Sequence, residues 1–374
     1  MIRICHLLDS SAGWEQRVGL DQLLTGVPTR EYANLVAALG TAAPANLAGL
    51  TDAIRTVPGA VSALAVSAAP SLVRYLTRSE IQLIHAWGIR AALAARAASK
   101  PPIVAELSDP SFSRYDLKAL RTLAGTGALA LVCNSATVRR RAVEGGVPPE
   151  ICVVIRPGVD FGVINKYRRS SIRKDLGLGP DDMVAIVSEP ATRGGGHFEA
   201  FLAVKLAAFF VENSKLLLPG VSREQRRIVR FSAALPPPTV LVPTGASHPF
   251  ERLVAIGDVL IMANRRDGSA TPIAWAMGAN VAVVGAAVYS VAELVAHKVN
   301  GLLFKPGARR SAAAAISRLI RDRKGLAEVS EVARGQAYDV FGVSRRVTQY
   351  KQLYTNMRAG APAGVDIVDS ACSF

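Results

Sequence analysis

The chain has 374 residues, half of them hydrophobic, and its mean hydropathy is +0.26. That length is too great for one ordinary domain and ample for two, and the apolar content excludes a disordered or fibrous chain. The formal charge of +15 admits phosphate-bearing ligands or an anionic bilayer surface as partners. Residues 1–150 hold 15 Lys and Arg against 11 Asp and Glu, so most of the surplus lies in the second half. It sits there in short pairs such as Arg168-Arg169, Arg226-Arg227 and Arg309-Arg310. No aromatic residues interleave with these pairs, as a single-strand groove would want, so nucleic acid is not an expected partner.

In chain order, Ile2–Leu8 reads as a buried strand that ends in the small-residue loop Asp9-Ser10-Ser11-Ala12-Gly13, and a helical pattern follows over 15–24. Asp9 interrupts this apolar start too soon for a signal peptide, so a cytoplasmic protein is expected. The Ala-rich interval from Tyr32 to Tyr75 reads as helices and a weak strand. Strands are expected at Ile81–His85, Ile103–Leu107 and Ala128–Cys133, each followed by a polar or small-residue loop. A short strand at Val153–Ile155 then gives way to a polar, basic stretch. The strand–helix rhythm restarts at Met183–Val187 and continues through Lys215–Leu218, Thr239–Val242, Val259–Ile261 and Val281–Val284. Such alternation predicts α/β architecture with parallel sheets. The expected organisation is two Rossmann-like domains facing each other across a cleft: 1–155, a linker over 156–182, and 183–343. A helix over 344–358 then crosses back to the first domain, and 359–374 form a flexible tail.

Ile273–Ala292 lacks any charge and is long enough to span a bilayer. Gly278-Ala279-Asn280 and Gly285 punctuate it, so it reads as helix–strand–helix. Cys5, Cys133, Cys152 and Cys372 show no metal-ligand spacing, and the first three sit in apolar strand contexts that suit buried free thiols. No metal site is expected.

Two regions carry a family resemblance. Arg156-Pro157-Gly158-Val159-Asp160-Phe161, followed by Leu176-Gly177-Leu178, is the first. The second runs from Gly257-Asp258-Val259-Leu260-Ile261 through the loop Asn264–Thr271, Pro272 and Ala276-Met277-Gly278 to Val281–Val284. It continues through Val291-Ala292-Glu293-Leu294-Val295 to Asn300-Gly301-Leu302-Leu303-Phe304. In order and spacing these resemble the GT-B glycosyltransferases, specifically the retaining family 4. The resemblance implies metal-independent transfer of a sugar from a nucleotide-diphosphate sugar to a sugar or lipid-linked acceptor, with no further cofactor. The absence of any Asp-x-Asp motif is in keeping with that. It also implies a donor loop at Gly268, Ser269, Ala270, Thr271 and Pro272. Independently, a small-residue loop with proline at a helix start leaves free N–H groups at the positive end of the helix dipole, which reads either as an anion site or as an ordinary tight strand–helix connection.

Two glutamates bracket this loop in the family. Their positions fall on Asp267, a shorter carboxylate able to face the sugar, and on Trp275, which accepts no hydrogen bond but joins the donor-binding set if it stacks on the base or sugar, the alternative being packing in the core. The family's two diphosphate-neutralising cations fall on Ser188 and Arg193, of which only Arg193 keeps the charge. Gly13 matches the family's N-terminal glycine, whose backbone faces the diphosphate. The family's histidine after the third strand is replaced by Ser108-Asp109, and His85, ending the preceding strand run, is the catalytic candidate there besides Asp267. The departures leave a second reading open, a degenerate relative that binds a ligand or partner without catalysis. Short basic groups would allow peripheral contact with an anionic membrane.

Overall fold

The structure, a computed structural model, describes residues 1–9, 12–39, 54–57, 70–168, 170–189, 191–211, 213–237, 240–245 and 247–361. They fall into two compact units. The first holds Met1–Gly158 and the described residues from Val343 onward, and the second holds Val159–Gly342.

In the first unit the elements are β1 (Ile2–Leu8), α1 (Trp14–Gly26), β2 (Tyr32–Leu39), β3 (Ile54–Val57), α2 (Pro70–Arg78), β4 (Leu83–Trp87), α3 (Ile89–Ala98), β5 (Ile103–Leu107), α4 (Arg114–Ala124), β6 (Leu129–Cys133), α5 (Ala136–Glu144) and β7 (Cys152–Val154). The strands form one parallel sheet in the order β3-β2-β1-β4-β5-β6-β7. β1, β4, β5 and β6 are almost wholly buried, because a parallel sheet is covered on both faces and its strands become continuous apolar runs. Cys5, Cys133 and Cys152 are buried free thiols, and burial pushes the Cys5 thiol up to about 12.

The second unit runs α6 (Phe161–Arg168), α7 (Ile172–Asp175), β8 (Met183–Ile186), α8 (His197–Ala207), β9 (Ser214–Pro219), α9 (Arg223–Ala233), β10 (Leu241–Gly245), α10 (Phe250–Leu253), β11 (Val259–Met262), α11 (Thr271–Gly278), β12 (Ala282–Ala286), α12 (Tyr289–Ala292), β13 (Leu302–Phe304), α13 (Arg309–Arg321) and α14 (Arg323–Val340). Its parallel sheet has the order β10-β9-β8-β11-β12-β13. The uncharged stretch 273–292 is the helix–strand–helix unit α11–β12–α12. Among the described residues no helix is long and apolar enough to cross a membrane.

Several expectations need correction. The Tyr32–Tyr75 interval begins with an eight-residue strand, β2, which pairs with β1 from Ile2↔Tyr32 to Leu8↔Ala38. Pairing overrides the helical preference of its alanines; 40–53 and 58–69 lie outside the described residues. β4 is displaced two residues from Ile81–His85, since Trp87 closes the ladder against Leu8, so His85 stands in mid-strand rather than at a strand end. The stretch 156–182 carries α6 and α7, anchored by buried Ile164, Ile172 and Leu178, and belongs to the second unit from Val159. The first-domain loop at Ser10-Ser11, the strand start at Thr239, Cys372 and the tail beyond 361 fall outside the described residues.

The final helix α15 (Val343–Arg358) lies in the first unit. Val347, Tyr350, Leu353, Tyr354 and Met357 join a core with Ile4, Leu20, Leu23 and Trp87. Arg346 is buried with them. Its Nη2 donates to Glu106 Oε1 at 2.8 Å and its Nη1 to Gln22 Oε1 at 2.9 Å. Tyr350 donates its hydroxyl to the same Glu106 oxygen. Burial raises the Glu106 carboxyl above its usual range, while Arg346 and Tyr350 pull it back. Gln22 also donates to the Gly158 carbonyl at 3.0 Å. A Cβ on Gly158 would come within 2.4 Å of Gln22 Oε1, so a larger residue there would push the Gln22 amide away from Arg346. One residue on, Val159 N–H donates to Phe341 O at 2.7 Å. The start and the end of the second unit are thus hydrogen-bonded to one another.

Beside this ion pair, His85 Nδ1 lies 2.7 Å from the Tyr354 hydroxyl, and its ring stacks on Trp87 with centroids 4.4 Å apart. His6, on β1 opposite His85, bonds Asn34 at 3.2 Å. Burial lowers both histidines, His6 to about 4, with the Asn34 bond opposing it.

Arg346→Met strands the Glu106 carboxylate in the core, and the expected cost is about 3–5 kcal/mol in urea unfolding. Glu106→Gln added to that variant should return most of the loss, because no buried charge then remains. A single substitution as mild as a surface change would count against the ion pair. For pH, the unfolded His6 takes up a proton below about 6.5 and the folded one only below about 4. Its contribution is therefore complete above pH 6.5 and is lost as the pH falls towards 4, a loss of roughly 3 kcal/mol. The urea midpoint should fall across that window; a flat profile would contradict the assignment.

Candidate functional site

In a doubly wound sheet, ligands gather beyond the carboxyl ends of the strands where the strand order reverses. In the second unit this point lies between β8 and β11, which pair through Val259↔Ala185 and Leu260↔Ile186. Two loops leave it: 187–196, leading into α8, and 263–270, leading into α11. They are packed on one another. Gly196 has φ +79°, and a Cβ there would lie 2.1 Å from the carbonyl atoms of Ala263. No side chain larger than hydrogen allows that approach. Arg265 and Glu199 pair across the same seam at 3.3 Å.

The loop after β8 is shaped by His197. This buried ring lies 2.9 Å from the Ser188 carbonyl at Nε2 and accepts the Thr192 N–H at Nδ1, 3.4 Å away. Both contacts together select the neutral tautomer with hydrogen on Nε2; burial lowers its basicity, and these backbone bonds oppose the shift. Between Thr192 and His197, Arg193 is exposed. The N-cap of α8, Gly196, brings no side-chain hydrogen bond to the first turn, so those amides and the helix dipole face the loop.

On the other loop, Arg265 and Arg266 are both exposed immediately beyond β11. Asp267 is buried; its Oδ1 accepts the Ser290 N–H at 2.9 Å, while Gly268 N–H donates to Ser290 Oγ at 3.1 Å. Ser269 Oγ accepts the Thr271 N–H at 3.2 Å and donates to Thr271 Oγ1 at 3.2 Å. Ala270 is the N-cap of α11, with Pro272 in its first turn. Trp275 is 1% exposed and part of that helix's packed face.

The structure thus brings Arg193 and the Asp267–Pro272 segment onto adjoining loops. Gly13 belongs to the first unit, at the N-cap of α1, where its N–H donates to Gln16 Oε1 at 2.9 Å. That strand-end loop also flanks a reversal of strand order, between β1 and β4. His85 is 0% exposed and lies in the core described above rather than on a loop rim. The mid-strand position explains the difference, since a side chain facing α15 is covered. Sequence reasoning passed over Arg265, Arg266 and His197. Two adjacent cations directly after an apolar strand were the available signal; nothing in the pattern marked His197.

Residues 169–336 match the family model of glycosyl transferases group 1, and residues 23–162 that of glycosyltransferase family 4. A curated relative, the N-acetyl-alpha-D-glucosaminyl L-malate synthase of Bacillus anthracis, is 22% identical over 205 residues, which is 52% of this chain. The match spans 51% of that relative, about half its length. Among solved structures, HepE of Anabaena in complex with UDP and glucose superposes with a TM-score of 0.80 at 20% identity, covering 95% of this chain and 100% of that one. Sucrose-phosphate synthase of Thermosynechococcus elongatus gives 0.73 at 15% identity, over 96% and 100%. With two successive models spanning most of its length and this architecture, the chain belongs to the group 1 glycosyltransferases of family 4 and has the GT-B fold.

Proposed function

We propose that the chain moves a glycosyl group from a nucleoside-diphosphate sugar to an acceptor hydroxyl, and that the β8/β11 crevice of the second unit holds the diphosphate. The observation that carries this is that Arg193 and Arg266 are both exposed on two loops that Gly196 presses together, beside the start of α8, which has no side-chain cap. A diphosphate concentrates negative charge, and it is best met by cations together with backbone N–H groups at a helix start. In this reading these groups take up the charge that develops on the leaving diphosphate, as the metal-independent pattern requires. Retention of anomeric configuration comes with the family. A uridine nucleotide is the first donor to try, because HepE has been solved with UDP and with UDP-glucose. A sugar or a lipid-linked sugar is the acceptor class.

Asp267 has a split task in this scheme. One oxygen holds Ser290 and so fixes the donor loop; a donor sugar can meet the carboxylate only through what remains. The same geometry supports a second reading, nucleotide binding without transfer, because both bracketing positions of the loop are occupied structurally: Asp267 by Ser290 and Trp275 by packing.

Titration calorimetry with UDP tests the assignment. Arg193→Ala should weaken binding about tenfold or more, the equivalent of one charge-assisted hydrogen bond of roughly 1.5–3 kcal/mol. Arg226→Ala, on α9, should leave UDP binding unchanged. Equal affinities for both variants and the parent would overturn the donor site. Asp267→Asn should lower the rate of sugar release from a UDP-sugar while retaining UDP binding. A parent protein that binds UDP yet consumes no UDP-sugar with any acceptor offered would favour the binding-only reading.

A further inference from the structure

We propose that the face of the second unit made by α9, α8 and α13 is a docking surface for an anionic lipid bilayer, with Phe209 and Phe210 as its apolar anchors. The three helices share one core: Ala200, Phe201 and Val204 of α8, Ile228 of α9, and Ala312 and Ile316 of α13 pack in a single cluster. They therefore cover the same side of the sheet, and their outer faces point the same way. α8 is tied to its neighbours on both sides. Phe198 and Phe231 meet at 5.1 Å between centroids, and the Arg321 guanidinium sits 5.4 Å above the Phe210 ring.

Two kinds of side chain are exposed on this face. Leu206, Phe209 and Phe210 are 41%, 62% and 68% exposed and follow one helical stripe that continues past the end of α8. Flanking them are two arginine-rich helices. α9 and α13 carry eight arginines against one acid, Glu224, which is itself paired with Arg227 at 3.0 Å. On α13 the exposed Arg310, Arg318 and Arg321 lie at helical spacing along one line.

Adjacent large apolar groups left in water, flanked by helices on which arginines far outnumber acids, are the two halves of interfacial lipid binding. Apolar side chains enter the headgroup layer while arginines pair with anionic phosphates. Arginines alone would suit nucleic acid equally well. The aliphatic Leu206 beside two phenylalanines has no base to stack on, but it has acyl chains to enter. α8 runs from the carboxyl end of β8 to the amino end of β9, so the phenylalanines mark the sheet edge opposite the one that carries Arg193. Lipid docking and nucleotide binding are thus separable.

The test is co-sedimentation of the full chain with vesicles of phosphatidylcholine alone, or with a quarter of it replaced by phosphatidylglycerol. UDP affinity is measured in parallel. The expected result is binding to the mixed vesicles at low salt, little to the neutral ones, and loss as salt screens the surface. Arg318→Glu with Arg321→Glu should cut partitioning roughly tenfold or more, and Phe209→Ala with Phe210→Ala should cut it several-fold. Both double variants should melt and bind UDP as the parent does. The proposal is overturned if the parent ignores mixed vesicles, if it binds neutral ones equally, or if either double variant partitions unchanged. A single-stranded oligonucleotide that binds in place of vesicles would also overturn it.

Discussion

A single buried charge organises the first unit. Arg346 arrives on the final helix and finds Glu106 on a central strand, Gln22 on α1 and, through Gln22, the backbone of Gly158. Taking a guanidinium out of water is costly unless every partner is in place, so this one residue demands the register of α15 against β5, the position of α1, and the exit path of the chain. The tyrosines and histidines around it follow from that demand. Tyr350 shares the Glu106 oxygen, Tyr354 meets His85, and His85 stacks on Trp87. A polar network of this kind is a poor source of net stability, yet it tolerates few alternative arrangements.

In the second unit the corresponding constraint is steric. The loops that leave β8 and β11 come together only because Gly196 has no side chain where Ala263 passes. His197 then fixes the start and middle of its own loop by two backbone contacts, and Glu199 reaches across to Arg265. Arg193 and Arg266 are displayed on a rigid frame, at the sheet position where α/β proteins place ligands. Positioning comes from the backbone and from a neutral histidine, and the exposed cations are left with charge as their contribution.

Much of this architecture could be read from residues alone. β5, β6, β8 and β11 were placed to within a residue, because buried parallel strands are short apolar runs bounded by polar or small residues. β2 was not. Tyr32–Leu39 is rich in alanine, and what makes it a strand is its partner β1, thirty residues earlier. The displacement of β4 has the same origin: an apolar run does not reveal which of its residues a neighbour will pair. The stretch 156–182 reads as a linker by composition, and its few apolar anchors, Ile164, Ile172 and Leu178, gain meaning only from the core they enter. The bond from Ser290 to Asp267 joins residues 23 apart and left no mark in the pattern. Nor did the contact between Gly196 and Ala263.

The chain leaves the first unit at Gly158 and returns at Val343, with the whole second unit between. On a ribosome this ordering has a temporal consequence. Glu106 emerges 240 residues before Arg346, an interval of tens of seconds at roughly 5–20 residues per second. Throughout it the nascent first unit has its sheet, but no cation for the carboxyl in its core and no α15 to cover Trp87. The second unit is contiguous and can close as soon as it is made. Sequence order thus keeps the first unit open until the whole of the second has been made.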